Sequence, residues 1–261
     1  MSRSTPFHLV DNSPWPLIGS MSGFSVVASL VVMMHSFSSS LLLFSVVFLA
    51  VLCVKWWGDV SRESAYLGFH TKAVQTNLLT GMVWFIVSEV CFFFGFFWTF
   101  FHSSLNSVVE MGTCWPPLGI QVLDPMGVPL LNTVVLLSSG VTVTWSHYSL
   151  LVGDGEGASL GLSYTVYLGI FFTLLQGMEY VMSGFNISDS VYGSIFFMAT
   201  GFHGFHVLVG TLFLVVCLGR LMAGHFSSGR HIGYECSIWY WHFVDVVWLF
   251  LYVCVYWWGG V

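Results

Sequence analysis

Residues 78–101 read LLTGMVWFIVSEVCFFFGFFWTFF, and Glu89 is the one charged side chain in this stretch. A helix needs about 20 mostly apolar residues to cross the roughly 30 Å of hydrocarbon in a bilayer. The stretch therefore predicts a membrane-spanning helix. In the whole chain, 56% of the 261 residues are hydrophobic and 7% are charged, whereas about 25% are charged in an ordinary soluble domain. This composition excludes a water-soluble protein.

Six other stretches are also long and apolar enough to be spans. The predicted spans are Leu17 to His35, Leu41 to Trp57, Leu78 to Phe101, Val128 to His147, Leu160 to Tyr180, Ser194 to Leu218 and Ile238 to Trp258. The first is diluted by Ser and Gly, and the second is short. The sequence shows no internal repeat of span length. We predict an all-α, polytopic membrane protein that forms a single membrane domain over residues 1–261.

The cations give this arrangement a direction. With seven spans, all six Lys and Arg residues fall on the same side of the membrane as the N-terminus: Arg3, Lys55, Arg62, Lys72, Arg220 and Arg230. The connections on the other side contain Glu110, Asp124 and Asp189 but no cation. This asymmetry is the one described by the positive-inside rule. No cleavable signal peptide is expected, because a basic segment is missing before the first span.

Glu89 is the leading candidate for chemistry, because a charged group at the centre of a bilayer costs about 2.5–3.5 kcal/mol on insertion scales. Helical spacing puts Phe92, Phe93 and Phe96 on the same face, and an apolar setting disfavours the ionised carboxylate. Glu89 could be a proton-linked carboxyl. It could equally be a neutral acid that is hydrogen-bonded to a neighbouring helix, and the sequence leaves both open.

Two further polar pairs lie within spans. His242 and Asp245 are three residues apart, so a helix would let the carboxylate hold one imidazole tautomer, although hydrogen bonding between helices explains them as well. His203 and His206 have the same spacing and could ligate a metal or haem, but neither Cys nor acid accompanies them in the local sequence. We predict no metal site. The nearby glycines Gly201, Gly204 and Gly210 are expected to permit close helix packing.

The side of the membrane that carries the cations also carries tryptophan and histidine. The residues concerned are Lys55, Trp56, Trp57, Asp59, Arg62, Glu63, His70, Lys72, Arg220, His225, Arg230 and His231. Indole rings favour the membrane interface, and Arg and His can donate hydrogen bonds to phosphate. The cluster can therefore bind a phospholipid headgroup. A plain positive-inside anchor explains the same composition without a specific lipid.

Several long strings give the chain a close resemblance to subunit III of the haem–copper cytochrome c oxidases, in the mitochondrially encoded form. They include WWGDVSRESAYLGFHT from Trp56, SEVCFFFGFFWTFFHSSL from Ser88, SDSVYGSIFFMATGFHGFHVLVG from Ser188 and WYWHFVDVVWLFLYVCVYWWG from Trp239. The strings occur in family order over nearly the whole chain, which is far more specific than one short motif.

The resemblance implies more than the composition does. Members of the family have seven helices, and a lipid-filled, V-shaped cleft separates helices one and two from helices three to seven. They carry no haem or copper, which belong to subunits I and II, and they pack mainly against subunit I. The complex oxidises cytochrome c, reduces dioxygen and pumps protons across the mitochondrial inner membrane. The N-terminus would then lie in the matrix and the C-terminus in the intermembrane space.

The family's residues can be carried over to this sequence. Its buried glutamate corresponds to Glu89, and the resemblance implies no catalytic residue. The expected phospholipid contacts are Trp57, Arg62, Glu63, His70, Arg220 and His225. Members of the family are thought to protect turnover and to support proton uptake or dioxygen access. Accessory subunits are expected as further partners, and nucleic acid is not expected to be one.

The family pattern is not matched everywhere, and other classes stay open. In the last cation-side loop, residues 228–231 are less rich in histidine and lysine than is common in the family, so the resemblance assigns no contacts there. An independent proton or cation transporter would use Glu89 and Asp245 as relay carboxyls. A haem-binding cytochrome would use His203 or His206.

Overall fold

The computed structural model describes residues 6–107, 109 and 112–260, and its regular elements are helices. They are α1 (Trp15–Ser36), α2 (Ser40–Ala65), α3 (Lys72–Leu105), α4 (Val128–Val152), α5 (Gly155–Met182), α6 (Ser190–Met222) and α7 (Ile232–Leu251). The last span continues through a π-helical turn, Tyr252–Trp257, and a 3₁₀ turn to Gly260. Each span is long and apolar enough to cross a membrane. The predicted seven-helix fold is confirmed; Arg3 and Glu110 lie outside the described residues.

The helices extend beyond the predicted apolar stretches, because the capping residues that end them lie outside those stretches. Gly153 ends α4 in a left-handed conformation with φ 91°, which glycine adopts without steric cost. Asp154 follows at once as the N-cap of α5, where its side chain accepts a 3.0 Å hydrogen bond from the Gly157 amide. Hydropathy does not register such caps. The tight α4–α5 turn makes these two helices antiparallel neighbours.

The chain divides into two compact units, Met1–Leu78 and Leu79–Val261. In unit 1, α1 and α2 form a hairpin with small polar residues at its interface. Ser22, Ser29 and Ser45 are buried, and their hydroxyls bond to backbone carbonyls one turn earlier. Such small residues let two membrane helices approach closely. This explains why the first span is diluted by serine.

Unit 2 has an aromatic core in which indole groups reach polar partners on another helix. Trp241 and Trp248 are fully buried on α7. Trp241 donates a 2.8 Å hydrogen bond to Ser139 on α4, and Trp248 donates a 3.0 Å hydrogen bond to Thr133 on the same helix. In a membrane, these bonds satisfy polar groups that lipid cannot. They fix the register of α7 against α4.

Glycines mark some of the close helix contacts but not all those expected. A Cβ added at Gly161 would lie 2.9 Å from the Ser146 Cβ, and one added at Gly210 would lie 3.0 Å from the Trp241 ring. Gly204, in contrast, has no atom of the described residues within 4 Å of such a Cβ. The prediction of close packing is therefore wrong for Gly204. It lies on an open face of α6, because helical periodicity turns it away from Gly210.

The helix ends of unit 2 fall into two groups. At one end, Tyr234 near the start of α7 donates a 2.6 Å hydrogen bond to Ser146 near the end of α4. At the other end, Tyr256 donates a 2.6 Å hydrogen bond to Glu179 near the end of α5. Arg220, in the last turn of α6, belongs to the first group. The helices of this unit therefore alternate in direction, as the predicted order of spans requires.

Candidate functional site

A carboxyl–imidazole contact joins two spans of unit 2. The Oε2 atom of Glu89 on α3 lies 2.9 Å from the Nε2 atom of His206 on α6. The Glu89 side chain is 22% exposed, and that of His206 is 9% exposed. Sequence reasoning singled out both residues but did not join them, because 117 positions separate them. His206 therefore has an acidic partner, and this partner comes from α3 and not from the local sequence of span six.

The second ring nitrogen of His206 decides how many protons this contact holds. Its Nδ1 atom lies 2.6 Å from the carbonyl oxygen of Phe202, and a carbonyl can only accept, so Nδ1 carries a proton and donates it. Nε2 then either accepts from a neutral Glu89 carboxyl or donates, as an imidazolium, to the carboxylate. Either way, one proton lies between the two side chains and the pair is neutral overall. The geometry suits a group that stores or passes a single proton.

Aromatic rings enclose the His206 side of this pair. The centroids of the Phe93, Phe243 and Tyr240 rings lie 5.2, 6.1 and 6.3 Å from that of His206. Phe93 is buried, in keeping with its predicted position beside Glu89. The surroundings of the imidazole are therefore mostly apolar. In such surroundings separated charges are costly, which favours proton sharing over two independent ions.

His203 does not join His206 in a metal site. Its Nε2 atom donates a 3.2 Å hydrogen bond to the Val244 carbonyl, and its ring packs against Phe172 and Trp248. Residues 6–107, 109 and 112–260 contain no group of three or more His, Cys, Asp or Glu that could hold a metal ion. In this structure, His203 is a packed core residue.

A second buried acid, Glu179, was missed by sequence reasoning. It is 3% exposed, and its Oε1 atom accepts from the Tyr256 hydroxyl at 2.6 Å and from the Gln176 amide at 3.0 Å. Asn132 on α4 donates to Gln176 at 3.3 Å. Glu179 lies close to the predicted end of span five, so it resembled a group at the membrane surface. The i, i+3 spacing of Gln176 and Glu179 was the available signal.

The Glu179 network is incomplete at two oxygen atoms. Glu179 Oε2 and Asn132 Oδ1 are buried and have no hydrogen-bond partner among the described residues. The four side chains of the network include no cation that could balance a carboxylate. A neutral carboxylic acid fits this setting better than an ion.

His242 and Asp245 share one face of α7. The Nδ1 atom of His242 lies 3.5 Å from Oδ2 of Asp245, and the imidazole is 44% exposed while the carboxyl is 9% exposed. Asp245 Oδ2 also stands close to Gly140 on α4, where an added Cβ would come within 2.9 Å. The second carboxyl oxygen, Oδ1, is buried without a hydrogen-bond partner in the described part of the chain.

The headgroup candidates of unit 1 gather at the end of α2. Trp57 is exposed, and the Arg62 side chain, 74% exposed, lies 3.4 Å from Asp59. Asp59 also accepts a 2.8 Å hydrogen bond from the Trp15 indole at the start of α1. Most donors of the Arg62 guanidinium therefore stay open, and the same end of α2 carries Trp57, a residue type that prefers the membrane interface.

Two other candidates of unit 1 meet the N-terminal segment. Glu63 lies 3.0 Å from the His8 imidazole. The His8 ring stacks on Phe69 at 5.0 Å between centroids and lies 6.1 Å from the His70 ring. Glu63 therefore has a polar partner within unit 1. Sequence reasoning did not include His8 in this group, since it is 55 residues from Glu63.

The candidates of unit 2, Arg220 and His225, surround the end of α6. The Arg220 guanidinium lies over the Phe226 ring, 4.5 Å from its centroid, and its Nε atom is buried without a hydrogen-bond partner within the described ranges. The His225 amide donates to the Arg220 carbonyl at 3.0 Å. The stacking fixes the guanidinium plane and leaves donors for an anion.

Comparison with known sequences gives a full-length match. The sequence profile of the family "Cytochrome c oxidase subunit III" matches residues 5–260. The chain belongs to the cytochrome c oxidase subunit III family. It is 56% identical over 260 residues to cytochrome c oxidase subunit 3 of Pisaster ochraceus, with 100% of both chains covered. It is 54% identical over 255 residues to that of Drosophila melanogaster, with 98% of this chain and 97% of the relative covered.

Family membership agrees with the fold and indicates that the chain works in a complex. A cytochrome c oxidase subunit III is one subunit of a membrane-bound oxidoreductase complex, so it works beside other subunits in a membrane. The seven spans fit this family. The seven-span topology and the resemblance predicted from the sequence are thus confirmed.

Proposed function

We propose that the chain acts as an accessory, metal-free core subunit of a cytochrome c oxidase in the mitochondrial inner membrane. In that complex, electrons pass from cytochrome c to dioxygen and protons are pumped, with haem and copper in the partner subunits I and II. The chain would stabilise subunit I, its main contact, and touch accessory subunits at the periphery. The match of the family profile to residues 5–260 is the observation that carries this proposal.

The proposal includes an orientation. The N-terminus faces the matrix and the C-terminus faces the intermembrane space. The charge asymmetry supports this direction, because each Lys or Arg lies on the side assigned to the matrix. Arg220 lies in the last turn of α6, at the end of unit 2 where α7 begins, and this position supports the proposed orientation.

Phospholipid binding is the second part of the proposal. Trp57, Arg62, Glu63 and His70 would contact headgroups in unit 1, and Arg220 and His225 would do so in unit 2. The open donors of Arg62 and the stacked guanidinium of Arg220 support it, since planar guanidinium groups bind phosphate well. Both groups lie at helix ends, where lipid headgroups are found.

The third part concerns Glu89. Its contact with His206 would let the subunit hold one proton inside the membrane without a net charge. A group of this kind can support proton uptake by the complex or keep its surroundings hydrated during turnover. A lipid-filled cleft would at the same time offer dioxygen an apolar route. Neither role requires a bond-making step in this chain.

Lipid analysis of the purified oxidase tests the proposed headgroup site. The double substitution Arg62→Ala, Arg220→Ala should lower the anionic phospholipid retained per complex, as measured by mass spectrometry. A matched control is Lys55→Ala, Arg230→Ala, which removes the same charge from the same predicted side. Unchanged lipid in the first variant, or equal loss in both, would refute specific binding by Arg62 and Arg220.

The competing transporter function has a separate test. If the chain used Glu89 as an independent relay, the purified chain in liposomes would carry a gradient-driven proton or cation flux, and Glu89→Gln would abolish it. The oxidase proposal expects no such flux. A visible absorption spectrum of the purified chain likewise separates it from a haem-binding cytochrome, since the proposal expects no haem band.

A further inference from the structure

Two histidine side chains meet at the end of unit 2 where α4 ends and α7 begins. The Nε2 atom of His147 on α4 lies 3.3 Å from the Nε2 atom of His231, the N-cap residue of α7. The ring centroids are 5.3 Å apart, and the ring planes are inclined by 64°. Both residues are half-buried. The pair is separate from the contact between Glu89 and His206, and the proposed function uses neither ring.

The hydrogen bonds of His231 fix which of its nitrogens has a free lone pair. Its Nδ1 atom lies 3.0 Å from the Ser227 carbonyl oxygen. A carbonyl only accepts, so Nδ1 carries the proton of the neutral imidazole and Nε2 keeps its lone pair. A histidine that binds a metal usually donates its second ring N–H to a carbonyl or carboxylate in this way, which sets its tautomer and orientation. His231 is thus held in the tautomer of an Nε2 metal ligand.

The distance between the two Nε2 atoms fits a shared metal ion. Imidazole nitrogens lie about 2.0–2.1 Å from Zn²⁺, so two of them on a tetrahedral ion are about 3.3–3.4 Å apart. The observed distance is 3.3 Å, which is longer than the 2.7–3.2 Å usual for a hydrogen bond from N–H to oxygen, about 2.9 Å at its commonest. Rings that converge on one such ion have centroids about 5.2 Å apart, and the observed separation is 5.3 Å.

The surroundings of the pair suit an exchangeable cation. His147 supplies the matching lone pair in its Nδ1-protonated tautomer, which is also neutral. Glu235, in the first turn of α7, acts electrostatically on His147 and adds negative charge beside the pair. The described residues hold no group of three ligands, so water would fill the remaining positions. A site of this kind is open and exchanges its ion.

We propose that His147 and His231 bind a Zn²⁺ ion through their Nε2 atoms, with the Glu235 carboxylate nearby and water at the remaining positions. Imidazole suits Zn²⁺, and the separation of the two nitrogens matches a tetrahedral ion. The ion links the end of α4 to the start of α7. Because Zn²⁺ has no redox chemistry, the inference goes beyond the proposed function and does not depend on it. The chain would hold no redox metal but would bind an exchangeable ion.

Anomalous scattering at the zinc edge is the direct test. Crystals of the purified oxidase, soaked in zinc sulfate, should show an anomalous peak about 2.0–2.1 Å from the Nε2 atoms of both His147 and His231. A peak beside only one of the two imidazoles would contradict a shared ion. The proposal would also be overturned if the pair showed no peak while zinc occupied other sites of the crystal.

Variants give the same site an affinity readout. His147→Gln and His231→Gln each remove one ligand and should each weaken zinc binding at this site at least tenfold, because loss of a residue that merely supports a ligand already costs about 10- to 100-fold. Equilibrium dialysis of the assembled oxidase with zinc sulfate measures the binding. His102→Gln, at an exposed position near the end of α3, is the control, since it removes an imidazole outside the pair.

The variants separate a shared ion from two independent imidazoles. Unchanged zinc affinity in both pair variants, or the same loss in His102→Gln, would overturn the proposal. Weaker binding in only one of the two pair variants would equally contradict a shared ion. If a pair variant failed to assemble, the anomalous map of the unsubstituted oxidase would still decide the matter.

Discussion

The Nε2 atom of His206 on α6 lies 2.9 Å from Oε2 of Glu89 on α3, while the other nitrogen of the same ring donates to the Phe202 carbonyl. This arrangement leaves one position for the proton that the two side chains share. An acid that looked isolated in its own span is thus half of a neutral pair. The pair explains how Glu89 is tolerated in an apolar helix.

Replacing Glu89 by Gln should leave assembly intact, because the Gln amide can donate to His206 Nε2 as the carboxyl does. Glu89→Leu should reduce assembly, since it leaves the ring nitrogen without a partner at a cost of about 1–3 kcal/mol. The measurement is the amount of assembled oxidase on native gels. Loss of assembly in Glu89→Gln would mean that the structure needs the ionised carboxylate.

Glu179 offers a parallel comparison at a fully buried acid. Glu179→Gln keeps an oxygen that accepts from Tyr256 and Gln176, so we expect little loss of stability. Glu179→Leu removes that acceptor and leaves the Tyr256 hydroxyl without one, which should cost about 1–3 kcal/mol, whereas the Gln176 amide keeps a 3.4 Å hydrogen bond to the Tyr256 oxygen. The thermal midpoint of the purified complex measures both effects. If Gln were as damaging as Leu, Glu179 would be acting as an anion and not as a neutral acid.

Two adjacent serines on α4 allow a hydrogen bond between helices to be compared with a hydrogen bond within one helix. Ser139 accepts from the Trp241 indole and also bonds to Leu136. Ser138 bonds only to the Val135 carbonyl in the described contacts. Ser139→Ala should destabilise the bundle by about 1–3 kcal/mol because the buried indole loses its acceptor. Ser138→Ala should change the thermal midpoint little, and a similar effect of the two substitutions would contradict the proposed α4–α7 register.

Glycine substitutions test the helix contacts of unit 2. Gly161→Ala should destabilise it by about 1–3 kcal/mol, because the new methyl group would meet Ser146 and the Thr142 carbonyl. Gly204→Ala has room for its methyl group and should gain up to about 1 kcal/mol from helix propensity. Thermal midpoints of the two variants provide the measurement. Equal destabilisation would show that Gly204 is covered by another chain in the complex.

Residues that interrupt a local sequence pattern could be predicted as candidates, whereas their partners on other helices could not. Glu89 stood out because one acid interrupts a long apolar run, and His242 with Asp245 because their spacing matches one helical turn. His206 could not be assigned as the partner of Glu89 from sequence alone, since the contact depends on how α3 and α6 pack. The serines of α1 weakened a hydropathy signal for a reason that only the interface with α2 reveals.

Glu179, in contrast, was not predicted as a candidate at all. Its position near the end of a span is compatible with exposure to water, and hydropathy cannot distinguish that from burial against Tyr256, which is 77 residues away. The helix caps at Gly153 and Asp154 were likewise not predicted, because apolar composition does not report backbone geometry. Long-range packing, and not composition, therefore determines which polar groups become sites.

The central claim is that the chain supports a redox complex without taking part in electron transfer. Its most direct test is the turnover of the purified oxidase before and after this subunit is removed, with the haem spectrum recorded throughout. We predict an unchanged haem spectrum and an initial rate that is largely retained, followed by faster loss of activity during turnover. Loss of haem absorbance, or of electron transfer from the first turnover, would contradict the account.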